Sequence, residues 1–172
     1  MARRVLDMGC RTFTGLDTSA KTLERARENL AAYPNVRLVL GDVEEFRFCE
    51  RFDVAYSVLT FMHIERKRAA LANIVEALYP HGILVLSLSN EGECLDFGSR
   101  RVRLYTAPVE DYIAWLTELG CRVDQPIDLV DRPYATDSPR RGDEGEDNRE
   151  AADCSRSETK VATLVRAEKI HP

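Results

Sequence analysis

The chain has 172 residues, a formal net charge of -5 and a composition of 44% hydrophobic and 31% charged residues. That suits one soluble α/β-sized domain with a real core, and is too short for two full ones. The acidic balance, with basic residues only in short separate clusters (Arg3-Arg4, Arg66 to Arg68, Arg100 to Arg103), gives no polyanion-binding surface, so no nucleic acid is expected and the clusters read as solvated faces.

In chain order, Val5-Leu6 followed by Asp7-Met8-Gly9 predicts a buried strand ending in a turn, and "TFTGLD" a second strand ending on Asp17. "TSAKTLERARENLAAYP" spaces Leu23, Ala26, Leu30 and Ala31 as a helix face, with Thr18 or Ser19 as N-cap and Pro34 at its end. "NVRLVL" predicts a third strand stopped by Gly41-Asp42. "FDVAYSVLT" predicts a fourth, apolar on both sides and therefore central in a covered parallel sheet.

"IERKRAALANIVEALYPHG" predicts a helix with Leu71, Ile74, Val75 and Leu78 on one face and Glu65 near its first turn. A buried strand, "ILVLSLS", follows; then comes a helix begun by Pro108 and stopped by Gly120, and two strand-like runs, "CRVDQPIDLV" and "KVATLVRAEKI". Between those runs, residues 132–160 are rich in charge, Gly, Pro and Ser and predict a disordered insertion in a single domain spanning 1–172.

No apolar run is long enough to cross a bilayer and the N-terminus lacks a signal-peptide core, so a cytoplasmic, membrane-free protein is expected. Cys10, Cys49, Cys94, Cys121 and Cys154 have irregular spacing and no CxxC pair, which favours reduced thiols over a disulfide framework or a zinc site. No metal is expected.

Alternating strands and helices call for a parallel sheet between two helical layers, which binds ligands at the carboxyl ends of its strands. Asp7, Asp17 and Asp42 fall at three such predicted ends. A carboxylate closing the second strand suits two vicinal ribose hydroxyls, and one in the "GDV" turn can accept from an exocyclic adenine amine.

The ordered set "VLDMGC", "TGLDTS", "LVLGDVEEF", "FDVAYSVLTFMHI" and "ALYPHGILVLSLS" resembles the class I S-adenosylmethionine-dependent methyltransferases. The resemblance implies a Rossmann-like three-layer sandwich, mostly parallel, with an antiparallel last strand inserted beside "ILVLSLS". It further implies S-adenosylmethionine as cofactor and methyl transfer to a small-molecule acceptor. Gly9, with Asp7, would meet the cofactor's methionine part. Asp17, with Thr18, would hold the ribose, and Asp42 with the Val43 backbone the adenine. Ser57 and Leu59 would lie near the transferring methyl, with His63 just beyond as the substrate-facing residue and the best-placed base.

His81 and His171 have no convergent partner in sequence, and Glu44 and Glu45 read as exposed helix-start charges. Arg100, Arg101, Arg103 and Tyr105 can be read as an acceptor site or as an exposed strand edge.

One junction departs from the pattern. Parallel neighbouring strands need a crossover of a dozen or so residues, whereas Cys10 to Thr12 span about 10 Å fully extended. The first crossover helix is thus missing between the two predicted strands, and part of the cofactor wall with it. The alternative function is therefore a catalytically inactive remnant that binds a partner. A nicotinamide-dependent dehydrogenase fits less well, because the chain has no GxGxxG loop.

Overall fold

The computed structural model describes residues 1–89, 94–96, 101–131 and 159–170. The first element corrects the strand expected at Val5 to Gly9: it lies within and just after a short helix, α1 (Ala2–Asp7). The Gly9 N–H donates to the Leu6 carbonyl at 2.9 Å, and Gly9 takes φ +87, ending the helix in the left-handed region that favours glycine. Leu6 is buried, the Arg3 guanidinium donates to the Asn29 carbonyl (2.8 and 3.0 Å), and the Tyr33 hydroxyl donates to Asp7 (2.6 Å).

The short Cys10–Thr12 link is thus no paradox. It joins a helix to the strand that follows, and Asn35 Nδ2 steadies it by donating to the Cys10 carbonyl at 2.7 Å. A helix stands directly before the acidic strand, as the resemblance implies. It is the preceding strand that has no counterpart among the described residues.

That strand, β1 (Phe13–Asp17), pairs in parallel with β2 (Val36–Leu40) through the helix α2 (Ala20–Asn29). Ser19 caps α2 by accepting from the Thr22 N–H, and Leu23 and Leu30 are buried at the expected helical spacing.

A separate sheet holds the main core. Its β3 (Phe52–Val58) runs parallel to β4 (Leu78–Leu88), which pairs antiparallel with β9 (Thr159–Lys169). The inserted antiparallel last strand is therefore present. On its other edge β9 pairs with β7 (Cys121–Val123) and β8 (Ile127–Asp131), one predicted run broken at Pro126, which has no N–H to donate. The charged segment expected at 132–160 reaches less far than predicted, because Thr159 and Lys160 pair with β8. Residues 132–158 lie outside the described residues.

Helix α3 (Lys67–Glu76) is shorter than its predicted span. The chain is already extended at Leu78, and the Tyr79–Gly82 stretch forms a bulge in which His81 has φ 65. Helix α4 (Val109–Glu118) packs beside it and ends at Gly120. Leu71, Leu78, Leu84, Leu86, Leu116 and Val165 are almost wholly inaccessible, and Tyr112 sits edge-on between Phe61 and Trp115. A small ladder, β5 (Cys94–Asp96) with β6 (Arg101–Arg103), stands apart.

The expected central strand is consequently an edge. Among the described residues β3 pairs only with β4, and β1 only with β2, so Val54 is 54% and Val58 43% exposed. What joins the two sheets is the loop after β2. The Phe13 and Tyr56 rings touch at 6.3 Å, Asn73 Nδ2 donates to the Val43 carbonyl at 2.7 Å, and Phe46, Phe48 and Phe52 form an edge-on stack.

Glu44, expected as an exposed charge, instead accepts from the backbone N–H groups of Glu65 and Arg66 (2.9 and 3.3 Å) and pairs with the Arg66 guanidinium at 2.8 Å. It supplies the anion at the start of α3 that Glu65 was expected to provide. Glu65 lies before the helix, whose first turn holds no acid.

Two outcomes test this architecture. A side chain at Gly9 meets no heavy atom within 4 Å, so Gly9→Ala costs only its left-handed backbone, about 1–2 kcal/mol by urea unfolding. The Arg66 hydrogen bond foremost holds the Glu44 carboxyl below its usual range, so its contribution is present above about pH 4.3 and lost as pH falls through the lowered value. Glu44→Ala should therefore be less stable by about 1 kcal/mol at neutral pH, as for a lost cap, and converge with the parent in acid. Parallel stability curves from pH 7 to pH 3 would contradict this assignment.

Candidate functional site

Of the three acidic strand ends expected at Asp7, Asp17 and Asp42, two are where the sequence places them, and Asp7 instead ends the helix α1. Asp17 closes β1 and Asp42 follows β2, and the Gly41 N–H donates to the Asp17 carbonyl at 3.1 Å, so the two acidic turns are neighbours. Both carboxylates are partly engaged in local turns: Asp17 Oδ1 accepts from the Ser19 N–H (2.8 Å) and Asp42 Oδ1 from the Glu44 N–H (2.9 Å). The second oxygen of each carboxylate remains to accept from a ligand. Thr18 is exposed beside Asp17. The Val43 carbonyl is taken by Asn73, while no acceptor among the described residues takes the Val43 N–H. Gly41 sets this turn tightly, since a Cβ there would stand 2.8 Å from the Phe46 ring.

The set offers two carboxylate acceptors and one backbone N–H donor, a combination that would suit the hydroxyls, amine and ring nitrogen of an adenosine. A methionine tail does not find the cradle expected of Asp7 and Gly9. Asp7 accepts from Tyr33 on α1, and Gly9 closes that helix.

Ser57 and Leu59 belong to the other sheet, at the end of β3. Leu59 has φ 51, a left-handed conformation uncommon for a branched residue, held in part by its N–H donating to the Ser87 carbonyl at 3.0 Å. Such strain persists only where the surroundings over-determine it. A 3-10 turn follows, Phe61–His63, with Phe61 buried and His63 exposed.

The turn borders the strand end formed by β6 and the residues after it, because the Tyr105 N–H donates to the Met62 carbonyl at 2.8 Å. Beyond it opens a cavity of about 800 Å³ lined by Lys67, Arg103, Tyr105, Asp111 and Trp115 among others. The Arg103 guanidinium lies 5.2 Å from the centre of the Tyr105 ring. Arg103 and Tyr105 line this cavity, and Arg103 is at the same time exposed on the outer strand β6, so this placement is compatible with both readings left open for them. None of Asp17, Asp42, Ser57 and Leu59 lines this cavity. The side chains of Arg100 and Arg101 lie outside the described residues, as does His171. His81 pairs with Glu168 at the opposite end of β4.

Three residues to which the sequence reading gave no part in the site hold the turns around it. Asn73 and Glu44 fix the turn carrying Asp42 and Val43, and Lys67, expected on a solvated basic face, is only 5% exposed. Asn73 lies on the side of α3 opposite the face of Leu71, Ile74 and Val75, so helical periodicity gave no signal for its burial.

Among the described residues no helix is long and apolar enough to cross a membrane, and no cluster of His, Cys, Asp and Glu could hold a metal ion. Cys10, Cys49 and Cys121 are free thiols.

Comparisons with known proteins bear on the family and the fold. The family model described as "Methyltransferase domain" matches residues 1–86. Nodulation protein S of Rhizobium tropici is 28% identical over 119 residues, which are 67% of this chain and 48% of that protein. A carboxy-S-adenosyl-L-methionine synthase of Shewanella piezotolerans is 34% identical over 89 residues, 49% of this chain and 36% of that protein. The chain thus spans about half or less of the length of these two relatives.

Among solved structures, an S-adenosylmethionine-dependent methyltransferase of Mesorhizobium loti superposes with a TM-score of 0.70 at 21% identity, covering 97% of this chain and 84% of that one. The N-methyltransferase NodS of Bradyrhizobium japonicum superposes at 0.63 and 18% identity, covering 96% and 78%. The fold is that of these enzymes, and the chain belongs to the methyltransferase-domain family.

Proposed function

We propose that this chain binds S-adenosylmethionine by its adenosine half and serves methyl transfer to a small-molecule acceptor. The observation that carries this reading is the pair of neighbouring acidic turns, Asp17 and Asp42, with the Val43 N–H beside them. When bound, the cofactor supplies an electrophilic methyl on a sulfonium, a good leaving group, so the protein's work is alignment and exclusion of water.

In this reading Asp17, with Thr18, accepts from the ribose hydroxyls, and Asp42 and Val43 bracket the adenine. Ser57 and Leu59 line the reacting end. The cavity beside the Phe61–His63 turn gives an acceptor room next to that end, with Arg103 and Tyr105 offering an anion partner and an aromatic face. The exposed His63 is the base for an acceptor that must lose a proton.

A second reading, a remnant that binds a partner and no cofactor, is favoured by one observation: Asp7 and Gly9 serve α1 instead of a methionine cradle.

Thermal unfolding with S-adenosylhomocysteine decides between them. At 100 times its dissociation constant the ligand should add about 2.7 kcal/mol, a rise in Tm of roughly 5–10 °C for a chain of this size. Asp17→Asn keeps the acceptor for Ser19 but removes the charge, and should weaken binding about tenfold or more, as expected for a lost charged hydrogen bond. No shift of the parent chain at millimolar ligand would overturn the cofactor reading and leave the remnant.

A further inference from the structure

Arg66, Lys67 and Arg68 are consecutive, yet they do different things. The two arginines are exposed and paired with carboxylates, Arg66 with Glu44 and Glu45 and Arg68 with Glu118. Lys67 is buried at the first turn of α3, and no carboxylate among the described residues pairs with it. Its Nζ donates to the Phe61 carbonyl at 2.9 Å and to the Ile64 carbonyl, and it lies 5.9 Å from the centre of the Tyr105 ring.

Burying a lysine is costly, and here desolvation pushes its pKa down, with the charge of Glu44 opposing that shift in part. Two carbonyl acceptors favour the ammonium, which makes Lys67 a donor and not a base. Both acceptors belong to one short turn, whose carbonyls have few helical partners of their own. The turn begins directly after the left-handed Leu59 and Thr60, and its Met62 carbonyl anchors Tyr105 at the cavity rim.

We propose that Lys67 is a positioning residue of the cofactor site: its ammonium fixes the Phe61–Ile64 turn, and through that turn the backbone of Leu59 at the end of β3. The site itself rests on the methyltransferase reading above; the hold on the turn does not. Lys67 touches no reacting atom. It acts from α3, the same helix whose Asn73 holds the Val43 carbonyl, so one helix sets both the adenine turn and the turn beyond β3.

Lys67→Met keeps the length of the side chain and removes the three donors, and Lys67→Arg keeps donors. We expect Lys67→Met to lower the Tm by a few degrees, since the Phe61 and Ile64 carbonyls lose their buried donor. It should broaden the amide resonances of His63 and Ile64, and weaken S-adenosylhomocysteine about tenfold by calorimetry, because binding must then order a turn that the ammonium no longer holds. Lys67→Arg should recover sharp turn resonances and most of the affinity. A purely structural lysine predicts a lower Tm too, but with turn resonances and affinity unchanged in the folded protein, and that result overturns the proposal. Should the arginine be too bulky to fold, the turn resonances and affinity of Lys67→Met decide alone. A parent chain that binds no S-adenosylhomocysteine overturns the place of Lys67 in a cofactor site, while the turn resonances still show whether it sets the turn.

Discussion

The structure depends on the contact between helix α3 and the loop that follows β2. Among the described residues the sheets β1–β2 and β3–β4–β9 share no ladder, so their strand hydrogen bonding does not fix one against the other. Asn73 and the Glu44 cap of α3 supply that tie, with the Phe13–Tyr56 contact and the Phe46–Phe48–Phe52 stack beside it. The Asn73 bond matters more than its length suggests. Asn73 is 3% exposed, and a buried amide left without an acceptor costs about 1–3 kcal/mol.

This constraint reaches the candidate site because the site is divided between the sheets. Asp17 and Asp42 close the strands of one, and Ser57 and Leu59 end a strand of the other. A ligand touching all four requires the sheets to keep a fixed offset, and α3 is the element bonded to both sides of that division. Its Lys67 holds the turn beyond β3 and its Asn73 holds the turn beyond β2. The acidic turns are self-contained, each carboxylate accepting from its own backbone two residues on. They therefore keep their local form even where the offset between the sheets changes.

Much of this was legible in the residues. The Leu23 and Leu30 spacing, the Ser19 cap, the Gly120 stop and the insertion of the last strand beside β4 all follow from periodicity, turn chemistry and resemblance. Val5 to Gly9 was misread because an apolar pair before Asp-x-Gly looks alike as a strand end and as a short helix ending on a left-handed glycine. Only tertiary partners separate them, here Asn29 and Tyr33, some 26 residues away in sequence. The edge position of β3 was invisible for a related reason. An apolar strand reports that it is suited to burial, not that a neighbour is present on each side. Glu44 and Lys67 were read by local charge, and both are instead claimed by backbone groups, Glu44 by the distant N–H groups of Glu65 and Arg66 and Lys67 by carbonyls of the turn just before its own helix.

The most direct test of the α3 tie is native-state hydrogen exchange, read strand by strand, in the parent chain and in Asn73→Ala. If α3 is what holds the two sheets together, the β1 and β2 amides open at lower free energy than those of β4 and β9. In Asn73→Ala that gap should widen, with β4 and β9 little changed. Uniform protection across all four strands, shifted equally by the substitution, would mean that the sheets form one cooperative unit without this tie and would contradict the account.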